Sequence, residues 1–259
     1  MALMHGSINR SNFFLTLSLR GTPRNSVSIK RGTWLPCQIM KTLIIDDQAF
    51  ELALLAPALA HHGVNVVGRA ENVDEARSEF LALEPSVVII DVRFNNEKAL
   101  NLCRELREIN PNLGLVIIAD TPDLRILGIT LAQIPSGSQL ILKSSVGVVE
   151  LIYQAIALSI LSAKSKELSI WSGANNVANA KLFINILSGL TDVQIETLRL
   201  VGNGLSNVAI SRARFVTEKS VEQIVTKISQ HFGVGSDSNK NQRVLLAGEY
   251  FKWSGALRD

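Results

Sequence analysis

Three aspartates and one lysine stand directly behind short apolar runs, a placement that could support chemistry. Asp46 and Asp47 follow Thr42–Ile45, Asp91 follows Ser86–Ile90, and Lys143 follows Gln139–Leu142. Clustered carboxylates raise one another's proton affinity unless a cation compensates. A hard cation such as Mg²⁺ takes oxygen ligands and keeps several waters, which suits a shallow acidic pocket. One carboxylate can then act as nucleophile towards a phosphoryl group. A metal and a lysine can neutralise charge on the transferred oxygens. A single Asp behind a strand is more often a helix cap or turn residue. Four such residues at successive strand ends favour a shared pocket.

These residues need elements that bring them together. Asn65–Ala70 and Leu113–Ile118 complete a set of five apolar strands. Helical spacing predicts a helix after Asp46-Asp47 through about His62, and others over Val73–Leu83, Leu100–Ile109, 123–132 and Val146–Leu161. Continuous apolar strands alternating with helices imply a parallel sheet covered on both faces. The expected fold is α/β doubly wound, five-stranded, with order 2-1-3-4-5, followed by an all-α part. In such sheets ligands bind beyond the carboxyl ends of the strands. Asp46, Asp47, Asp91 and Lys143 all fall on that rim.

After Leu187 the pattern is purely helical. Thr191 and Gln194 have the spacing of a capping box, and Gly202–Gly204 ends that helix. Ser206 caps a second helix, and a turn near Phe215-Val216-Thr217 leads to a third, about Glu218–Phe232, ended by Gly233. Short helices joined by tight turns fit a helix-turn-helix, whose later helix enters the major groove. Val221, Ile224, Val225 and Ile228 form its core stripe. Thr217, Lys219, Ser220, Glu222, Gln223, Thr226 and Lys227 are the polar positions. Lys219 and Lys227 suit phosphates, Gln223 an adenine, and Glu222 a cytosine. A merely solvated helix face is the plainer alternative.

The chain has 259 residues, 47% hydrophobic and 19% charged, a globular composition. Net charge is +3 but unevenly spread. Residues 1–39 carry five basic and no acidic groups. Residues 40–158 carry nine basic and fifteen acidic, and residues 188–259 nine basic and seven acidic. An acidic front and a mildly basic rear fit a rear domain that meets nucleic acid. Cys37 and Cys103 form no metal-type spacing, and a reducing cytoplasm is the expected setting. The apolar run Leu151–Leu161 has polar breaks and reads as a buried helix, so no membrane is expected. The expected divisions are an extension over 1–39, an α/β domain over 40–161, a linker over 162–187 and a helical domain over 188–259. Three readings stand for the extension: translation starting at Met40, an organelle transit peptide, or a disordered nucleic-acid-touching arm.

Residues 41–158 resemble a response-regulator receiver domain of the CheY-like fold. Leu43-Ile44-Ile45-Asp46-Asp47, Val88-Ile89-Ile90-Asp91 and Leu140-Ile141-Leu142-Lys143 carry the likeness. Residues 188–234 resemble the helix-turn-helix of the NarL/LuxR (FixJ) type. There the matching runs are Leu190-Thr191, Gly204-Leu205-Ser206-Asn207, Val216-Thr217-Glu218-Lys219-Ser220-Val221 and Phe232-Gly233-Val234. The resemblance implies Asp91 as phosphoacceptor, and Mg²⁺ held by Asp46, Asp47, Asp91 and the Arg93 backbone carbonyl. It implies Lys143 as a phosphoryl contact, with Thr121 or Ala119 at the position where the family has Thr or Ser. The family's switch aromatic is Leu140 here, and Asn95 and Ala99 replace its usual Pro and Gly. The implied protein is a DNA-binding regulator and no enzyme, with a sensor histidine kinase as partner and a homodimer on double-stranded DNA. A receiver that regulates transcription without phosphate, through dimerisation or a partner, is the alternative.

Overall fold

A computed structural model describes residues 40–95, 98–144, 147–165, 169–172, 187–234 and 240–254. The expectations for residues 1–39 and for the stretch 173–186 lie outside the described residues.

The front of the chain alternates strand and helix: β1 (Thr42–Ile45), α1 (Ala49–His61), β2 (Val66–Ala70), α2 (Val73–Leu83), β3 (Val87–Asp91), α3 (Ala99–Ile109), β4 (Gly114–Ala119), β5 (Gln139–Leu142) and α4 (Val148–Ser165). All strands pair in parallel, in the order β2-β1-β3-β4-β5-β6. The expected order of the first five is present, but the sheet has a sixth strand. β6 (Ile170–Ser172) adds to the edge of β5, within the stretch expected to be linker. It is three residues long and lacks an apolar run, so its pairing is a tertiary effect.

Strand side chains alternate between two cores. Leu43, Ile45, Val88 and Ile90 pack with Phe80 of α2 and Leu102 and Leu106 of α3. Ile44, Val87 and Ile89 pack on the other face with Leu52, Ala56 and Leu59 of α1 and Ile152 and Ile156 of α4. Burial on both faces explains why these strands read as continuous apolar runs. Helix α4 runs four residues beyond the expected end, and by length and composition it could cross a membrane. Here it packs on the sheet through Ile152, Ala155 and Ile156.

The segment 123–132 is not the single helix its spacing predicts. It forms two 3-10 turns, Leu124–Leu127 and Leu131–Gln133, separated by Gly128 at φ 77°. Leu124 faces the sheet core, whereas Ile126 faces a third core built by the rear helices. Those helices are α5 (Asp192–Gly202), α6 (Asn207–Arg214), α7 (Glu218–His231) and α8 (Gln242–Ser254). Leu198, Val201, Ile210, Val221, Ile228, Leu246 and Tyr250 fill this core. Gly202 lets α8 approach, because a Cβ there would stand 2.2 Å from the Tyr250 ring.

Candidate functional site

Parallel registers set the rim. Ile45 lies level with Ile90, Asp91 with Ile118, and Ala119 with Leu142. Asp46, Asp91 and Lys143 therefore emerge at one edge of the sheet. The Lys143 amide donates to the Ala119 carbonyl at 2.8 Å, which continues the ladder one step past β5.

Asp91 is 2% exposed. Its Oδ1 accepts from the Arg93 amide at 2.7 Å, and its Oδ2 lies 2.6 Å from Lys143 Nζ. Lys143 Nζ also pairs with Glu51 Oε2 and stands 4.0 Å from Asp46 Oδ2. Carboxylate oxygens of Asp46, Glu51 and Asp91 all lie within 4.8 Å of one another. Asp46 Oδ1 accepts from the Gln48 amide at 2.9 Å. Burial pushes the Asp46 carboxyl up to about 7; the charges of Asp91 and Glu51 add to this, while the Gln48 amide and Lys143 oppose it. Burial pulls the Lys143 ammonium down. The charge and hydrogen bond of Asp91, with Glu51 and Asp120, outweigh that and hold its pKa above the ordinary lysine value.

Three carboxylates face one ammonium, so two negative charges remain uncompensated when all are ionised. A hard divalent cation matches both that charge and the all-oxygen donor set. The residues thus fit the expected kind of ion.

The converging set differs from the expected one. Glu51 joins it, and Asp47 turns aside: its Oδ2 accepts from the Asn95 amide at 3.0 Å. Asn95 has φ 50°, a left-handed conformation that Asn tolerates. Glu51 sits in the first turn of α1, and only its acidity and its place five residues after Asp46 hint at this role. Thr121 is buried with its hydroxyl engaged by the Asp123 backbone, accepting from the amide at 3.3 Å. Leu140 is buried in the sheet core, and β6 sets Trp171 level with it. Cys103 is buried, which pushes its thiol up to about 12 and leaves no reactive thiolate.

The Arg93 side chain was not anticipated. Its Nη1 donates to the Ser254 carbonyl at the end of α8 (2.8 Å) and lies 3.8 Å from Asp120. A second link joins the same parts. Arg125 Nη1 is 2.7 Å from Asp192 Oδ1, and Nη2 donates to Asp123 (2.7 Å) and the Leu187 carbonyl (3.3 Å). Its hydrogen bond to Asp123 leads the causes that raise its pKa.

The first two rear helices carry the expected caps, and the third carries one that was expected only as a turn residue. Thr191 and Gln194 form the capping box of α5, and Ser206 accepts from the Ala209 amide at 3.2 Å. Thr217 caps α7, accepting from the Ser220 amide at 3.2 Å. Arg214 of α6 donates to Thr197 of α5 at 2.7 Å, and Arg243 of α8 to Asn207 of α6 at 2.5 Å. On α7, Val221, Val225 and Ile228 face the core. Lys219, Glu222, Gln223, Thr226 and Lys227 are exposed, and their spacing puts them on one face. Ser220 is half-buried. Thr226 bonds back to the Glu222 carbonyl at 2.8 Å.

Comparison with known proteins bears on both parts. Residues 42–133 match the response regulator receiver domain. The DNA-binding transcriptional activator DevR/DosR of Mycobacterium tuberculosis is 30% identical over 222 residues, 82% of this chain and 95% of that protein. The transcriptional regulatory protein LnrK of Bacillus subtilis is 24% identical over 207 residues, 76% of this chain and 92% of that protein. A solved complex of the two-component response regulator RcsB with DNA is 20% identical, covers 82% of this chain and 98% of that one, and has a TM-score of 0.48.

Proposed function

This chain belongs to the response-regulator family, of the NarL/LuxR type, and from that premise we propose that it is a DNA-binding transcription regulator controlled by phosphorylation of Asp91. The observation that carries this reading is the buried Asp91 with Lys143 at 2.6 Å and two further carboxylates in reach. The receiver is read as residues 40–161 with β6 added, and the DNA-binding part as 188–259.

Mg²⁺ would be held by Asp46 and Asp91, with Glu51 and Asp47 as the further acidic candidates and the Arg93 carbonyl beside them. When bound it would supply positive charge to the phosphoryl oxygens. In the transfer, an Asp91 carboxylate oxygen attacks phosphorus and the bond to the donor's leaving group breaks. Lys143 neutralises charge on the transferred group. Its ammonium is already aimed at the reacting carboxylate by the ladder beyond β5. The phosphoryl donor would be a sensor histidine kinase, and the setting the cytoplasm. The polar face of α7 would enter the major groove, with a homodimer spanning paired half-sites.

One observation favours the second reading, regulation without phosphate. Ala119 has no hydroxyl, and that of Thr121 is occupied with Asp123. The deciding experiment is acetyl-phosphate labelling with Mg²⁺, followed by DNA-binding measurements, on the wild type and Asp91→Ala. The expected outcome is labelling of the wild type alone, with a change in its DNA affinity. An unlabelled wild type, or one whose affinity does not respond, would support regulation without phosphate.

A further inference from the structure

Phe215 is 96% exposed, the most exposed large hydrophobic residue among those described. It occupies the turn between α6 and α7 at φ 54°, ψ 43°. The left-handed region costs a side-chain-bearing residue about 1–2 kcal/mol, which Gly avoids and Asn reduces. The backbone needs this conformation: the Phe215 amide closes α6 on Arg212 O, and the next amide bonds to Ser211 O. It does not need an aromatic ring. The ring is therefore unfavourable twice, in strain and in exposure, and the fold gains no burial from it.

The surroundings of the ring narrow its purpose. Arg212 lies three residues before it, and Thr217 and Lys219 lie two and four after, all exposed. Within five residues of the ring in sequence, only Ala213 and Val216 add exposed apolar side chains, whereas protein partners use broad apolar patches. A ring with Arg212 and Lys219 near it in sequence, and Glu218 the one exposed acid between them, suits a surface on which apolar and anionic groups alternate closely. Duplex DNA has that character at a groove edge, where thymine methyl groups and sugars lie between phosphates. Phe is among the residues that contact the thymine methyl group.

We propose that Phe215 is a specificity residue that packs against a thymine methyl group at the edge of the groove entered by α7. This rests on the DNA-binding reading above. Asp91 chemistry does not enter it.

The test uses the full-length chain treated with acetyl phosphate and Mg²⁺. The probe is a duplex enriched by the wild type from a random-sequence pool, in which each thymine is replaced in turn by deoxyuracil. That exchange removes only the methyl group. Phe215→Asn is expected to fold with unchanged or higher stability, because Asn tolerates the left-handed region. It is expected to bind the parent duplex several-fold more weakly. One deoxyuracil position should weaken the wild type about fourfold, the effect of one buried methyl group, and should not weaken Phe215→Asn. Equal affinities with the same deoxyuracil profile would overturn the proposal. In that case, if Lys219→Ala still weakens binding and flattens its salt dependence, the DNA-binding reading stands and only the Phe215 inference falls. A wild type that enriches no duplex overturns both. Altered self-association of Phe215→Asn without DNA, at unchanged DNA affinity, would assign the ring to a second copy of the chain instead.

Discussion

Asp46 is the residue on which the electrostatics of the pocket turn. Its carboxyl is raised from 3.8 to about 7, first by burial and then by its acidic neighbours. A folded-state pKa above the unfolded value means that the folded chain keeps a proton the unfolded chain has lost. Stability should therefore fall as pH rises from about 4 to about 7, and level off above that. Mg²⁺ should oppose the fall, because it favours the ionised carboxylates. Urea midpoints across this range, in chelator and in Mg²⁺, would show it, with Asp46→Asn as the reference. A slope in Asp46→Asn as steep as in the wild type would assign the fall to other groups. At this scale the sequence was partly legible. Asp46, Asp91 and Lys143 each end a strand, so their convergence follows from a parallel sheet. Glu51 reaches the rim from a helix, and its direction depends on where α1 begins. Asp47 neighbours Asp46 in sequence, but adjacent side chains diverge, and Asp47 finds the Asn95 amide.

Elements that complete their own burial were legible, and those that borrow a partner were not. β1, β3, β4 and β5 announce themselves because both faces are covered. The caps of α5 and α6 are local, so Thr191 and Ser206 stand where their side-chain chemistry predicts, and Thr217 caps α7 by the same chemistry. The stretch 123–132 misleads because its apolar residues serve two cores. Leu124 goes to the sheet and Ile126 to the rear helices, so one helical stripe cannot satisfy both. This division predicts an unusual mutant. Ile126 is fully buried against Leu198, Leu246 and Tyr250. Ile126→Ala should cost about 2–5 kcal/mol, as buried aliphatic truncations do. The loss should appear mainly in the rear domain, although the residue belongs to the front one. Hydrogen exchange would locate it: amides of α5 and α8 should lose more protection than those of β3 and β4. Greater loss in the strands would show that Ile126 serves the sheet instead.

For the whole molecule, the question is how an event at Asp91 would reach the rear helices, given Leu140 where the resemblance implies an aromatic and Ala119 or Thr121 where it implies a Thr or Ser. Among the described residues, Lys219, Glu222, Gln223, Thr226 and Lys227 of α7 stay exposed, so under the DNA-binding reading docking would not act by masking them. What the receiver does hold is α5, through Arg125, and α8, through Arg93. Arg93 is placed to connect the two ends. Its amide touches Asp91 and its guanidinium donates to the neutral carbonyl of Ser254. A phosphoryl group on Asp91 would add about two negative charges beside it. A cation is attracted more strongly to a nearby dianion than to a neutral carbonyl dipole, so the guanidinium should favour the phosphoryl group and release α8. A ligand shifts an equilibrium only by its different interactions with the two states, and Arg93 would supply such a difference. Arg93→Ala should still label at Asp91, since its backbone amide remains. Its DNA affinity should no longer depend on labelling, and the unlabelled variant should bind like the labelled wild type. Wild-type coupling of about 5–150-fold would be typical, and Arg93→Lys, which keeps the charge but loses the fork of donors, should retain part of it. Fluorescence anisotropy with labelled duplex, before and after acetyl phosphate, measures all three chains. A variant that labels normally and keeps the wild-type ratio would move the route between Asp91 and DNA to the Arg125 contact or elsewhere.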